Sequence, residues 1–215
     1  LEVTGSAYTA SSKITIYEGT GSTVGSNAND HDIVYDPDTD RIFFVYRSSG
    51  GAKARVLTAS TSAITVGAEQ DVDSGTNTGG FMASYDTNLD RVILGYSQDD
   101  GNYYARVIAI TGGGTNTISV GSQSSQIQSE NPNGKGGIAF NSKDNKTYVA
   151  LTGSGGKLRR YELTCSTTAV TSIGSAVEIS SAVTPFYGNI VYNTDEEALV
   201  TIFQEASSGS DKDLK

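Results

Sequence analysis

The 215-residue chain carries 15 Lys and Arg against 24 Asp and Glu, a formal net charge of −9. It therefore lacks the clustered basic surplus that nucleic-acid phosphates require, and no nucleic acid is expected as a partner. One Cys, one His and no Trp exclude a disulfide framework and a zinc finger, and no 18-residue apolar run is present to insert in a membrane.

The segment from Glu2 to Val24 reads as two strands, around AYTAS and KITIY. The unit 25–74 follows. HDIVYD (31–36) reads as a strand, Pro37–Asp40 as a turn with proline at a favoured position, and RIFFVYRS (41–48) as a second strand. Gly50 and Gly51 turn the chain into AKARVLTAS (52–60), and AITVGAEQDV (63–72) forms a fourth strand. Val, Ile, Tyr, Phe and Thr fill these runs, and Gly, Asn, Asp and Ser bound them. No window shows a helical period.

The same text then recurs. YDPDTDRIFFVYR starts at Tyr35, YDTNLDRVILGYS at Tyr85, FNSKDNKTYVALT at Phe140 and YNTDEEALVTIFQ at Tyr192. A second marker follows in three of the units, at Ala54, Ala105 and Arg160. This defines units 25–74, 75–129 and 130–181. The stretch 182–215 holds only the first two strands of a unit, and 1–24 matches the last two: Tyr8–Ser11 aligns with Leu57–Ser60, and Lys13–Tyr17 with Ala63–Gly67. A repeat of about 50 residues with four antiparallel strands has the size of a β-propeller blade. The expected fold is all-β: about four four-stranded blades, one completed by strands from both ends of the chain. Pairing the halves would remove exposed strand edges. The chain opens on Leu1, which leaves open a segment of a longer repeat array or pairing of the halves between molecules.

With its Tyr-Asp-x4-Arg/Lys marker, the apolar strand ending Tyr-Arg or Tyr-Ser, the turn seen in SQDDGNYYA (97–105) and the final ITVG strand, the sequence resembles the repeats of structural proteins of marine phages and bacteria, among them tail-fibre and appendage proteins. The resemblance implies a propeller on a virion or cell surface, with no catalytic residues. Unit 130–181 departs most from the pattern: Phe140-Asn141 replaces Tyr-Asp, and Leu151 stands where Tyr46 and Tyr96 stand.

Residues that repeat read as architecture. Tyr35, Tyr85, Phe140 and Tyr192 are expected to pack between blades or against the turn, although stacking on sugars uses the same residue type. Asp40, Asp90, Asn145 and Glu197 are expected to bond turn backbone through their side chains. Gly67, Gly121 and Gly174 are expected to mark a bend or bulge. The acids in each turn are too few for a calcium site, and no cofactor is expected.

Residues that do not repeat are the candidates for function. The segments entering strand one vary, and in a propeller they gather on one face. Asn29, Asp30, His31, Asn77, Lys135, Phe186 and Tyr187 would converge there, a mixture suited to a polar ligand such as a sugar. His31 sits between Asp30 and Asp32, an arrangement that could hold a general base, but no nucleophile motif accompanies it. Cys165 aligns with Ala59 and reads as a small-residue substitution. The expected function is a non-enzymatic structural or adhesion module, extracellular or on a virion surface, with other structural proteins or copies of itself as partners. A carbohydrate-binding propeller contacting cell-surface glycan is the alternative, and a glycan-processing enzyme stands behind both.

Overall fold

A computed structural model describes residues 31–48, 51–60, 63–75, 79–98, 100–111, 117–128, 136–153, 156–181 and 183–205, with side chains described throughout except at 183–188 and 204–205. The expected half unit at 1–24 and the C-terminal 206–215 lie outside the described residues.

The chain is all-β. The first sheet comprises β1 (His31–Asp36), β2 (Arg41–Ser48), β3 (Gly51–Ala59), β4 (Ile64–Val66) and β5 (Gln70–Asp73). The second comprises β6 (Gly79–Asp86), β7 (Arg91–Ser97), β8 (Tyr103–Thr111) and β9 (Thr117–Val120). The third comprises β10 (Gly137–Asn141), β11 (Lys146–Thr152), β12 (Leu158–Cys165), β13 (Val170–Ile173) and β14 (Val177–Ser180). The last holds β15 (Val183–Asn193) and β16 (Ala198–Glu205). Within each sheet the first four strands pair antiparallel in sequence order, as far as the sheet extends, while β5 and β14 pair with β3 and β12.

The register repeats with the sequence. Asp36 pairs with Arg41, Asp86 with Arg91, Asn141 with Lys146 and Asn193 with Ala198. Each turn is closed by the side chain that ends the first strand. Asp36 Oδ1 accepts from the Asp38 and Thr39 amides, Asp86 Oδ1 from Asn88 and Leu89, Asn141 Oδ1 from Lys143, and Asn193 Oδ1 from Asp195 and Glu196. This corrects the expectation placed on Asp40, Asp90, Asn145 and Glu197. Those four residues occupy the left-handed region, with φ of 53, 54, 56 and 51°. The turn needs that backbone conformation, which Asp and Asn tolerate better than most residues. The carboxylates of Asp40 and Asp90 instead accept from the Tyr35 and Tyr85 hydroxyls, at 2.9 and 3.4 Å.

The fourth strand is broken, where one continuous strand over 63–72 was expected. β4 and β5 both pair with β3, and β13 and β14 both pair with β12. In the second sheet β9 pairs with β8, and beyond it only a bridge joins Gln128 to Tyr103. The break follows Gly67, Gly121 and Gly174, as the bend expected there requires. Each glycine still donates its N–H to strand three, to Val56, Val107 and Glu162 at 2.8 Å. The next carbonyl contact is lost to a side chain: Arg55 Nη1 donates to Gly67 O at 3.0 Å and Arg106 Nη1 to Gly121 O at 2.9 Å.

Sheets stack face to face through the alternation of their strands. β1 lies beside β6, β6 beside β10 and β10 beside β15. Each interface uses the same two faces. Phe43, Val45, Ala54 and Val56 of the first sheet meet Val92, Leu94, Tyr96 and Ile108 of the second. Met82, Ile93, Ala105 and Val107 on the opposite face of the second sheet meet Ile138, Val149, Leu151 and Leu163 of the third. Ala139, Tyr148, Ala150 and Leu158 of the third meet Ile190, Tyr192, Leu199 and Phe203 of the last. The free edges of the first strands are also tied: the Ala83 amide donates to Asp32 Oδ2 at 2.8 Å, and the Phe140 amide to Ser84 Oγ at 3.1 Å. Side chains thus occupy edge amides that would otherwise recruit a foreign strand.

Candidate functional site

The sequence points to the entry side of the first strands, and little of that side can be assembled. Asn29, Asp30, Asn77 and Lys135 lie outside the described residues. Phe186 and Tyr187 fall within β15, with their side chains outside the described set. His31 opens β1 and is exposed, its ring tilted 44° against that of Phe44 at 6.4 Å. Asp32 cannot orient it. Alternation puts Asp32 on the other face, and its two carboxylate oxygens accept from the Ile33 and Ala83 amides. Cys165 ends β12 half-buried, and burial pushes its thiol up to about 12, the opposite of what a reactive thiolate needs. Among the described residues, no group of three or more His, Cys, Asp or Glu clusters in a way that could hold a metal ion.

Two clefts stand out among the described residues. The first, of about 350 Å³, lies at the other end of the first strands, where they turn into the second strands. Its walls come from three successive units at equivalent positions. Tyr85, Phe140 and Tyr192 supply aromatic rings, and Thr87, Ser142 and Thr194, each two residues on, supply hydroxyls. Ile138 and Ile190 line the remainder. In the first unit these positions are Tyr35 and Pro37, so the hydroxyl is absent there. The Tyr85 hydroxyl is held protonated well above its ordinary range by burial, with the Asp36 carboxylate adding to the effect. An apolar floor with a hydroxyl rim offers ring contact and neutral hydrogen bonds, and no charge.

The second cleft, of about 400 Å³, lies between the first and second units. Arg106 is its centre. Its Nε donates to the Tyr96 hydroxyl at 2.8 Å, and its Nη2 donates to Asp73 Oδ2 at 3.0 Å. Gln98 also donates to Asp73, at 3.0 Å. Burial raises the Asp73 carboxyl, but donation from the Gly75 amide, Arg106 and Gln98 outweighs it and leaves the group below its ordinary value. The first unit keeps the Arg–Tyr pair and adds an acid of its own, Glu69, at the position of Gln123: Arg55 Nε donates to the Tyr46 hydroxyl at 3.2 Å, and that hydroxyl bonds Glu69. Burial, with Glu69 next, raises the Tyr46 hydroxyl to about 12.

The third unit replaces the whole fitting at once. Leu151 stands for the tyrosine and Tyr161 for the arginine, and the Tyr161 hydroxyl donates to Gln128 Oε1 at 3.1 Å. Pairing of Tyr103 with Gln128 matches that of Ala52 with Asp73, so Gln128 is the counterpart of Asp73. At one place in the repeat, therefore, a residue at the end of one unit's outer strand takes a donor from the third strand of the next. The pair is charged between the first two units and neutral between the second and third. Sequence reading isolated the loss of tyrosine at Leu151; the partner at Gln128 is visible only through the strand pairing. These polar groups are committed to joining units. The chain matches no protein-family model and no curated protein.

Proposed function

We propose that the chain is a non-enzymatic structural and adhesion module, a β-propeller from a virion appendage or an extracellular surface protein. On this reading there are about four blades, and strands from both ends of the chain complete the last one. The supporting observation is the use made of the buried polar groups. Asp73, Arg106, Tyr96, Gln128 and Tyr161 join successive sheets, the task expected of a scaffold. The acidic net charge and the resemblance to phage and bacterial appendage repeats support a surface setting. Beads coated with the protein should adhere to bacterial cells, and the protein should consume no chromogenic glycoside or ester. Turnover that is lost when a pair of carboxylates is replaced would overturn the reading.

A second reading, carbohydrate binding, draws on the aromatic and hydroxyl cleft over the second to fourth units. Tyr85 and Phe140 would meet the apolar face of a pyranose, and Thr87, Ser142 and Thr194 its hydroxyls. On a glycan array, signals that fall at least roughly tenfold in Tyr85→Ala, the loss of about 1.4 kcal/mol, would favour this reading. Unchanged signals would remove the cleft from it.

A further inference from the structure

The two ends of the row of sheets expose opposite faces of the same interface. Ile33 and Tyr35 of β1 are 56% and 53% exposed. The residues equivalent to Ile33 in the third and last units are Ile138 and Ile190, which are buried against the preceding sheet. At the other end Val191, Val200 and Ile202 are 50%, 40% and 51% exposed. Their equivalents Phe43 and Val45 in the first unit, and Tyr148 and Ala150 in the third, are buried against the following sheet. The first sheet therefore shows the face that elsewhere receives a preceding unit, and the last shows the face that elsewhere receives a following one.

We propose that these two faces pack against each other within one chain, so that the row of sheets closes into a ring. This rests on the propeller reading above and names the residues at which closure occurs. Both patches are apolar and of the same kind as the three interfaces already formed, and apolar side chains left in water forfeit the burial that those interfaces gain. The neighbours at the closing interface follow from the existing ones. Asp32 reaches the Ala83 amide at 2.8 Å. A Cβ on Gly137 would lie 2.5 Å from the Ile190 nitrogen and 2.8 Å from Asn189 Cα. The position of Asp32 and Gly137 in the last unit is Asn189, and that of Ala83 and Ile190 in the first unit is Ile33. Closure therefore brings Asn189 beside Ile33.

The test is an engineered disulfide, Ile33→Cys with Asn189→Cys, in a Cys165→Ala background. Both sites are exposed, so neither change disturbs a core. Asp32→Cys with Ala83→Cys, at neighbours already in contact, is the positive control for the oxidation. The expected result is a monomer on a non-reducing gel with no free thiol, as in the control. A ladder of cross-linked copies would overturn closure within the chain and assign the two faces to a head-to-tail polymer. Persisting free thiols alongside an oxidised control would overturn the pairing of the faces altogether. Adhesion of coated beads is measured separately, so failure here and failure of the adhesion reading are told apart.

Discussion

Replacing Asp73 by Ala is expected to cost about 3 kcal/mol, because it strands the half-buried Arg106 guanidinium without its counter-charge. For a chain of this size that is a fall in melting temperature of roughly 10 °C. Arg106 would keep the Tyr96 hydroxyl and Gly121 carbonyl, but neither carries charge. The double change Asp73→Leu with Arg106→Met removes both charges and should recover most of the loss, as similar exchanges do in other proteins. The pH dependence has a definite sign. The folded-state pKa of Asp73 is depressed. Its stabilisation is thus fully present above the ordinary carboxylate value of about 3.9 and is lost as pH falls through the folded value. Urea titrations of wild type and Asp73→Asn should therefore differ most near neutrality and converge below pH ~4. A gap of constant size down to acid pH would show that the Asp73 charge contributes nothing.

Gly121→Ala is expected to be strongly damaging for a change of a single methyl. The new Cβ would stand 2.1 Å from the Thr168 carbonyl oxygen and 2.8 Å from that of Val107. Both are backbone atoms, and Thr168 belongs to the next unit, so relief requires the second and third sheets to separate at their outer strands. Overpacking of this kind costs about 3 kcal/mol. The same change at Gly174, one unit on, meets only Glu162 Cβ, at 3.2 Å, as its nearest neighbour. It should cost below about 1 kcal/mol. Chemical denaturation of the two variants side by side checks this. Equal losses would mean that the glycine serves strand four alone and not the joint between units.

Strands one to three were legible in the sequence because each signal is local. β-branched and aromatic runs, with Asp, Asn and Gly at the turns, put β1 at His31–Asp36 and β2 at Arg41–Ser48, as expected from HDIVYD and RIFFVYRS. The break in the fourth strand was only half legible. Gly67 marked the bend, but not that the chain rejoins strand three at Gln70–Asp73. The glycine carbonyl is taken by Arg55, twelve residues away, in the first unit, and the same break forms after Gly174 where Tyr161 replaces the arginine. The cleft was not legible for a related reason. Tyr85, Phe140 and Tyr192 read as architecture because they repeat, and it is the repeat that gathers them. Repetition along the chain becomes convergence in space once first strands lie side by side.

The change from a charged to a neutral joint also bears on how an array of similar sheets finds its correct order. Interchangeable apolar faces allow a unit to dock on the wrong neighbour, a characteristic failure of repeat proteins. Were the third unit to settle against the first, Asp73 would face Tyr161 in place of Arg106. Were the second to follow itself in a neighbouring copy, Arg106 would face Gln128. Either error buries a charge without its opposite, at a cost of several kcal/mol. The joints at Asp73–Arg106 and Gln128–Tyr161 thus act as unlike keys cut into otherwise similar surfaces. They penalise each misassembly more than they reward the correct one.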